Sequence, residues 1–464
     1  MLGRGATYVI PVVAVVVTAL VLLGPGAGRS AIGVRVRGLP REGSTALALR
    51  IETVRRASTV DDAVAVTGLS VEGTAAGAAL GPWQGSTGSD GIAEVSLPTG
   101  QPLRGPVSLR VTRGEAVLAE GPITIPPAAH VAAGPAVVGG VTTGDLSIQV
   151  EVLQGTLAAP FEGSLRLRLV GSGREPLRQP GVVLEVSMTG GELTAGQERV
   201  ETDRSGAATL QVKPLAHHVE LTVTARDPAG RTGRWVGVLP VLPGAMRLEP
   251  LGATELSVIS PAPRERAYVS LLSDHGRVAG AVVPLVRDPA GFHAGRFAAE
   301  LPPAPAQLHA VVSGDPYEQG VGTVAWPIRP AEGAPAVQPI TLLLDGLPAA
   351  ELREMARANR ARQLGLLVIG AAALLEVLLL VRVSRASQRR LEEHLNQASG
   401  EAAEMPPGHG DSSTREESES APLSRRDRAK LIAATREGLG LRVAILAALV
   451  ILGFALFAAV MQFR

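Results

Sequence analysis

Between about residue 31 and residue 345 the chain alternates apolar and polar side chains in short runs. Leu165-Arg-Leu-Arg-Leu169 alternates strictly, as do Ser147-Ile-Gln-Val-Glu-Val152 and Val219-Glu-Leu-Thr-Val-Thr224. A period of two places one set of side chains on a buried face and the other in water, so these runs predict half-buried β-strands. Turn chemistry falls between the runs. Arg-Asp-Pro-Ala-Gly occurs at Arg226 and again at Arg287. In that string Asp accepts a local backbone hydrogen bond, Pro presets φ, and Gly tolerates a positive φ. A helical apolar face is hard to find before about Ala349.

A longer, weaker repeat overlies this pattern. Ser89-Asp-Gly-Ile-Ala-Glu-Val-Ser-Leu97 precedes Val107-Ser-Leu-Arg-Val-Thr112, and Asp203-Arg-Ser-Gly-Ala-Ala-Thr-Leu-Gln-Val212 precedes Val219–Thr224. Each copy is a polar turn, a strand, a Pro-containing connection and a second strand. The copies are separated by about one small sandwich domain. With Gly/Pro-rich linkers near Pro135 and Gly244, the expected modules are 31–134, 135–244 and 245–345.

Three apolar segments flank or follow this region: Ala6–Leu23, Leu364–Val383 and Val443–Met461. The second and third are long enough for helices that cross a bilayer core of about 30 Å, whereas the first is long for a cleaved signal and short for a span. The first, within 1–30, reads as a signal-anchor or signal peptide, with Arg4 before it and Gly-Pro-Gly after it. A basic stalk helix, 346–363, leads into a transmembrane helix at 364–383. A partly disordered loop, 384–441, then leads to a second transmembrane helix, 442–462. Six basic residues from Arg425 to Arg442 precede the last span and only Arg464 follows it. That asymmetry places the loop in the cytoplasm and the β-rich modules outside it. The expected location is therefore the bacterial cytoplasmic (inner) membrane, multi-pass, with a large extracytoplasmic domain.

Composition narrows the chemistry. The 464-residue chain has no cysteine, which removes disulfides, thiolate metal sites and cysteine nucleophiles. Its net charge of +1 gives no reason to expect nucleic acid. Phosphate-binding Gly loops, nucleophile elbows and zinc-protease helix motifs do not occur in it. His217 and His218 are adjacent, so in a strand their rings would diverge, and no other ligand sits at a recognised spacing. Asp90, Asp203, Asp227, Asp274 and Asp288 all fall at turns. Turn chemistry accounts for them, with calcium at module linkers as the alternative. Within the second apolar segment Glu376 stands out, because a carboxylate there would snorkel, pair with a basic helix end such as Arg442 or with a partner subunit, or lie on a proton or ion path. This leaves Glu376 and Arg442 as candidate intramembrane interaction residues, with no catalytic, cofactor-binding or metal residues and no cofactor.

Arg174-Glu-Pro-Leu177, Val182-Val-Leu-Glu-Val186, Gly190-Gly191, Thr202-Asp203, Gly206-Ala-Ala208 and Val219–Ala225 together resemble a bacterial immunoglobulin-like domain of the invasin/intimin type. Macroglobulin-type modules look similar. The match covers roughly Gly171 to Gly230, with a fainter echo from Ser44 to Thr112. The chain departs from invasins in having helical segments instead of an outer-membrane barrel, and it lacks the Cys of a macroglobulin thioester. The expected fold class is all-β: tandem immunoglobulin-like β-sandwiches anchored by transmembrane α-helices. The expected function is that of a non-enzymatic, membrane-anchored envelope protein. Its partners would be the lipid bilayer and an envelope or membrane protein or polymer, with no nucleic acid, and it would bind or act as a spacer. The alternative is a regulatory or sensory subunit that relays an outer signal through its helices. An envelope hydrolase is a third class.

Overall fold

The computed structural model describes Val13 and residues 32–401, apart from residues 58–59, 130–133, 172–174, 253, 300–306, 330–331 and 334. Contacts divide the chain into two compact units, one spanning Ser30–Glu351 and the other containing the helix from Leu352 onward.

The first unit is a set of β-sandwiches. In the first sandwich, Ala46–Ala57 pairs along one edge with Ile32–Gly38 and along the other with Ile92–Pro98 and Val60–Ala63. The opposing sheet is built from Leu69–Ala75, Val107–Arg113 and Ala116–Ile123, with two short strands at its edge. In the second sandwich the entering chain switches sheets around Gly139. Ala136–Val138 pairs with Ser147–Val152, whereas Gly140–Gly144 pairs with Thr232–Leu242. The third sandwich packs the sheet of Arg247–Pro250, Glu255–Ser260 and His293–Ala298 on that of Arg266–Ser273, Gly276–Pro284, Leu308–Ser313 and Val324–Arg329.

The alternation read from the sequence is realised residue by residue. Leu165, Leu167 and Leu169 are buried, and Arg166 and Arg168 between them are partly exposed. Val219, Leu221 and Val223 enter the same core, which also encloses Trp235. The two Asp-Pro-Ala-Gly turns are built alike. Gly230 donates its N–H to the Asp227 carbonyl at 3.0 Å, and Gly291 to the Asp288 carbonyl at 3.1 Å. Their φ values of 86° and 92° lie in the left-handed region, where glycine is unstrained. The longer repeat is also structural: Ile92–Pro98 and Val107–Arg113 lie in opposite sheets of one sandwich, as do Ala207–Pro214 and His218–Arg226 in the next.

Local periodicity says nothing about long-range return of the chain. Thr341–Asp345, which falls within the segment expected as the third module, pairs with Ile32–Gly38 of the first sandwich. Leu343 and Leu344 pack against that first core.

The helical anchors are a correction. Among the described residues no helix is long and apolar enough to cross a membrane. Leu364–Val383 lies inside one 55-residue helix, Leu347–Glu401. Glu376 and Arg382 place charges inside that segment, which are costly in a hydrocarbon core. The transmembrane part of the expected fold class is withdrawn. So is the multi-pass location in a bacterial cytoplasmic membrane, with the sidedness derived from it. The stalk, the apolar segment and the first part of the expected loop form a single helix instead. Ala6–Leu23 (save Val13) and Val443–Met461 lie outside the described residues.

Leu165 is fully buried in the second core. Leu165→Ala should lower unfolding stability by about 2–5 kcal/mol, through lost burial and the cavity left behind. The neighbouring Arg168→Ala should cost far less. Urea titrations of the two variants followed by tryptophan fluorescence test this, and equal costs would contradict the burial pattern.

Candidate functional site

The outward face of the first sandwich's sheet that contains Ala46–Ala57 is a field of charge. Arg50 lies opposite Glu94 on one neighbouring strand and opposite Arg37 on the other. Arg35 lies opposite Glu52. Directly opposed like charges such as Arg37 and Arg50 repel in a sheet. Here the third sandwich covers this face and supplies partners.

Four charges form the centre of the seam. Arg50 Nε donates to Glu94 Oε1 at 2.6 Å, and its Nη1 lies 3.0 Å from Glu318 Oε1. Arg277 Nη2 donates to Glu94 Oε2 at 2.6 Å. Ser270 joins the two halves by accepting from Arg277 Nε at 2.8 Å and donating to Glu318 Oε1. Arg50 also donates to the Pro316 carbonyl at 2.5 Å. Arg50, Arg277 and Glu318 are each no more than 1% exposed. Two arginines against two glutamates leave the cluster neutral.

Glu318 reaches this position through an unusual backbone. Its φ is 60°, left-handed and uncommon for a residue with a Cβ. Asp315 fixes the loop: its side chain accepts the N–H groups of Tyr317 and Gln319 at 3.1 and 3.0 Å, and its carbonyl accepts that of Glu318 at 3.0 Å. Such strain, about 1–3 kcal/mol, persists when the surroundings over-determine it.

A second polar contact flanks the first. Tyr317 donates to Glu52 Oε1 at 2.5 Å, and the Arg37 guanidinium lies 4.3 Å from the Tyr317 ring centroid. Arg37 Nε and Glu52 Oε2 approach only to 3.8 Å, and both atoms are buried without a hydrogen bond. That pair attracts by charge alone. Arg35 and Arg56 share Asp61, at 2.5 and 3.0 Å.

Environment sets the protonation states. Burial opposes the charge on Arg50, but Glu94 and Glu318 outweigh it and hold its pKa above the usual value. Burial pushes the Glu318 carboxyl up, against the pull of Arg50 and Arg277. Burial, then Asp90, pushes the Tyr268 hydroxyl to about 12. Burial, then the hydrogen bond to Glu52, does the same for Tyr317, also to about 12. Both tyrosines stay neutral donors. The central groups are committed to one another across two sandwiches, so the arrangement acts as a clamp.

Further contacts interlock the sandwiches. The Arg277 N–H donates to the Leu39 carbonyl at 2.8 Å, and His275 Nδ1 donates to the Glu42 carbonyl at 2.9 Å. Phe161 of the second sandwich meets Phe292 of the third at 5.5 Å between ring centroids, and Ala158 enters the third core.

Sequence-derived candidates fall elsewhere. Glu376's side chain and all of Arg442 lie outside the described residues. His217 and His218 are exposed where the His218–Arg226 strand begins. Asp203, Asp227 and Asp288 accept backbone N–H groups of their own turns. Asp90 does more, binding Tyr268 and Arg266 of the third sandwich. Arg50 and Glu94 gave no sequence signal, because alternation assigns their positions to water.

No protein-family model matches the chain, and no curated protein matches it. Solved structures do align. The D0-D1 domain of intimin is 15% identical and covers 42% of this chain and 90% of its own, with a TM-score of 0.15. Invasin, described as a bacterial integrin-binding protein, is 11% identical over 61% of this chain and 56% of its own, TM-score 0.15. A glycosyl hydrolase family 2 member from Bacteroides cellulosilyticus is 13% identical over 47% and 30%, TM-score 0.15. The chain spans less than two thirds of the length of the last two. The likeness is one of fold alone, and at that level the resemblance to immunoglobulin-like domains of the intimin and invasin kind stands. What those proteins bind or hydrolyse stays with them.

Two measurements test the seam. Removing one partner of a buried pair leaves the other uncompensated, so Arg50→Ala should cost about 3–5 kcal/mol in denaturant unfolding. The second concerns pH. A carboxyl whose folded pKa is raised takes up its proton in the folded state first. Its contribution therefore grows as pH falls through the folded pKa and is lost as pH rises through it. The stability of wild type relative to Glu318→Gln should accordingly fall as pH rises above the ordinary glutamate pKa of about 4. A difference that rises with pH would show that the arginines, not burial, dominate Glu318.

Proposed function

We propose that Ser30–Glu351 is a non-enzymatic recognition and spacing element, in which β-sandwiches are clamped together as one rigid presenting body. The observation that supports this most directly is the buried Arg50–Glu94–Arg277–Glu318 cluster shared between the first and third sandwiches. A flexible string of modules has no use for desolvated charges at a junction, because each opening would leave them unpaired. A rigid body holds surface loops from different sandwiches at fixed separations, which is what a spacer or a multi-point protein or polymer binder requires. The central acids and tyrosines are spent on one another, which supports a structural role for them over a catalytic one.

The absence of native cysteine makes a direct test available. Spin labels at Ala79→Cys and Ala290→Cys, both exposed positions in the first and third sandwiches, should give a single narrow distance distribution by pulsed electron–electron resonance. Adding Arg50→Ala should broaden it. A broad distribution in the parent protein would sink the rigid-body reading.

A further inference from the structure

Beside the clamp, where the Ser89–Asp90 turn of the first sandwich meets the third, lies an open cleft of about 520 Å³. Ser89, Asp90, Arg264, Glu265, Arg266, Tyr268 and Gly314 line it. Its volume falls in the usual range for small-molecule sites, roughly 300–1,000 Å³.

The charges in the cleft are unequally occupied. Asp90 is spent: Oδ2 takes Arg266 Nη1 at 2.9 Å and the Tyr268 hydroxyl at 3.0 Å, and Oδ1 takes the Ile92 N–H at 3.2 Å. Arg266 is neutralised by that contact and also donates to Ser89 Oγ at 2.5 Å. Arg264 has no such partner. Its Nε is buried and makes no hydrogen bond among the described residues, and no acid there forms an ion pair with it. A buried, unsatisfied charged donor costs free energy, about 1–3 kcal/mol or more, and such a group calls for an explanation.

Gly314 shows how that guanidinium is placed. A Cβ added at Gly314 would stand 2.0 Å from Arg264 Nη1, so that end of the guanidinium occupies space beside Gly314 that any other residue would fill. A second donor is at hand. Ser89 Oγ accepts from Arg266, which leaves its own hydroxyl proton to give. Glu265 stays exposed at the rim. One free guanidinium, one hydroxyl and a rim acid favour a monoanion over a dianion, and the planar fork matches a carboxylate through two parallel hydrogen bonds.

We propose that this cleft is a carboxylate-binding site, with Arg264 as the fork and Ser89 as the second donor. The site goes beyond the spacer reading and does not depend on it. Peptides and sugar acids both carry the required group, and the test separates them.

Calorimetric titration of the full chain at low salt would use N-acetylglycine and glucuronate as probes, with N-acetylglycinamide and glucose as neutral counterparts and inorganic phosphate as the competing anion. At least one carboxylate should saturate a single site while its neutral counterpart gives no binding. Preference for N-acetylglycine assigns a peptide-type ligand, and preference for glucuronate a sugar acid. Arg264→Gln should weaken binding about tenfold or more, as loss of a charged hydrogen-bonding pair does. Gly314→Ala, which displaces the fork and leaves its charge, should weaken it too. Glu265→Gln should strengthen it by relieving rim repulsion. If Arg264→Gln does not fold, judged by circular dichroism, the other two variants decide. The proposal is overturned if neither carboxylate saturates, if phosphate binds and the carboxylates do not, or if the folded variants bind like wild type.

Discussion

The Arg50 guanidinium is the point on which the arrangement of the sandwiches turns. It projects from the middle of a twelve-residue strand, away from the core formed by its neighbours Leu49 and Ile51. On an isolated sandwich that side would face water. In the assembled unit it is fully buried, and its cost is offset because Glu94 from its own sheet and Glu318 and the Pro316 carbonyl from the third sandwich arrive at hydrogen-bonding distance. A charge so deeply desolvated tolerates few alternative geometries, since each displacement leaves one ion unpaired in a low-dielectric interior. Whether such a cluster adds net stability over an apolar interface is secondary. Its clearest effect is to specify one docking arrangement.

Several features follow from that requirement. Glu318 adopts a left-handed backbone to present its carboxylate, held by the Asp315 turn. The Asp90 turn, outwardly an ordinary Asp-Gly bend, contributes its side chain across the junction to Tyr268 and Arg266. The Thr341–Asp345 strand returns to the sheet that carries Arg35 and Arg37, so the end of the β region is stitched to its beginning. The first and third sandwiches are thus joined by charge, and the chain that leaves the third sandwich ends as an edge strand of the first, while the second meets the third through apolar contacts such as Phe161 on Phe292.

The same logic separates the clamp from the neighbouring cleft. In the clamp, guanidinium groups find carboxylates within the protein. At Arg264 the protein supplies a site for the guanidinium, beside Gly314, but among the described residues no carboxylate pairs with it. Both are built at the junction of the same two sandwiches, so any ligand at the cleft would contact a surface whose shape the clamp maintains.

What the sequence determined by itself was local. Period-two alternation placed Leu165, Leu167 and Leu169, and Val219, Leu221 and Val223, in the core, and the repeated Asp-Pro-Ala-Gly strings made their turns, because side-chain direction and turn geometry depend only on near neighbours. The same local rules took the Leu364–Val383 segment for a membrane span, although Glu376 interrupts its apolar run within a longer helix. Tertiary structure alone decided that Arg50, Glu94 and Glu318 are buried. Alternation distinguishes the inner face of a sheet from the outer one, but it cannot report whether a second domain will cover the outer face. The partners lie as far apart in sequence as Arg50 and Glu318, and only the folded chain brings them within 3.0 Å.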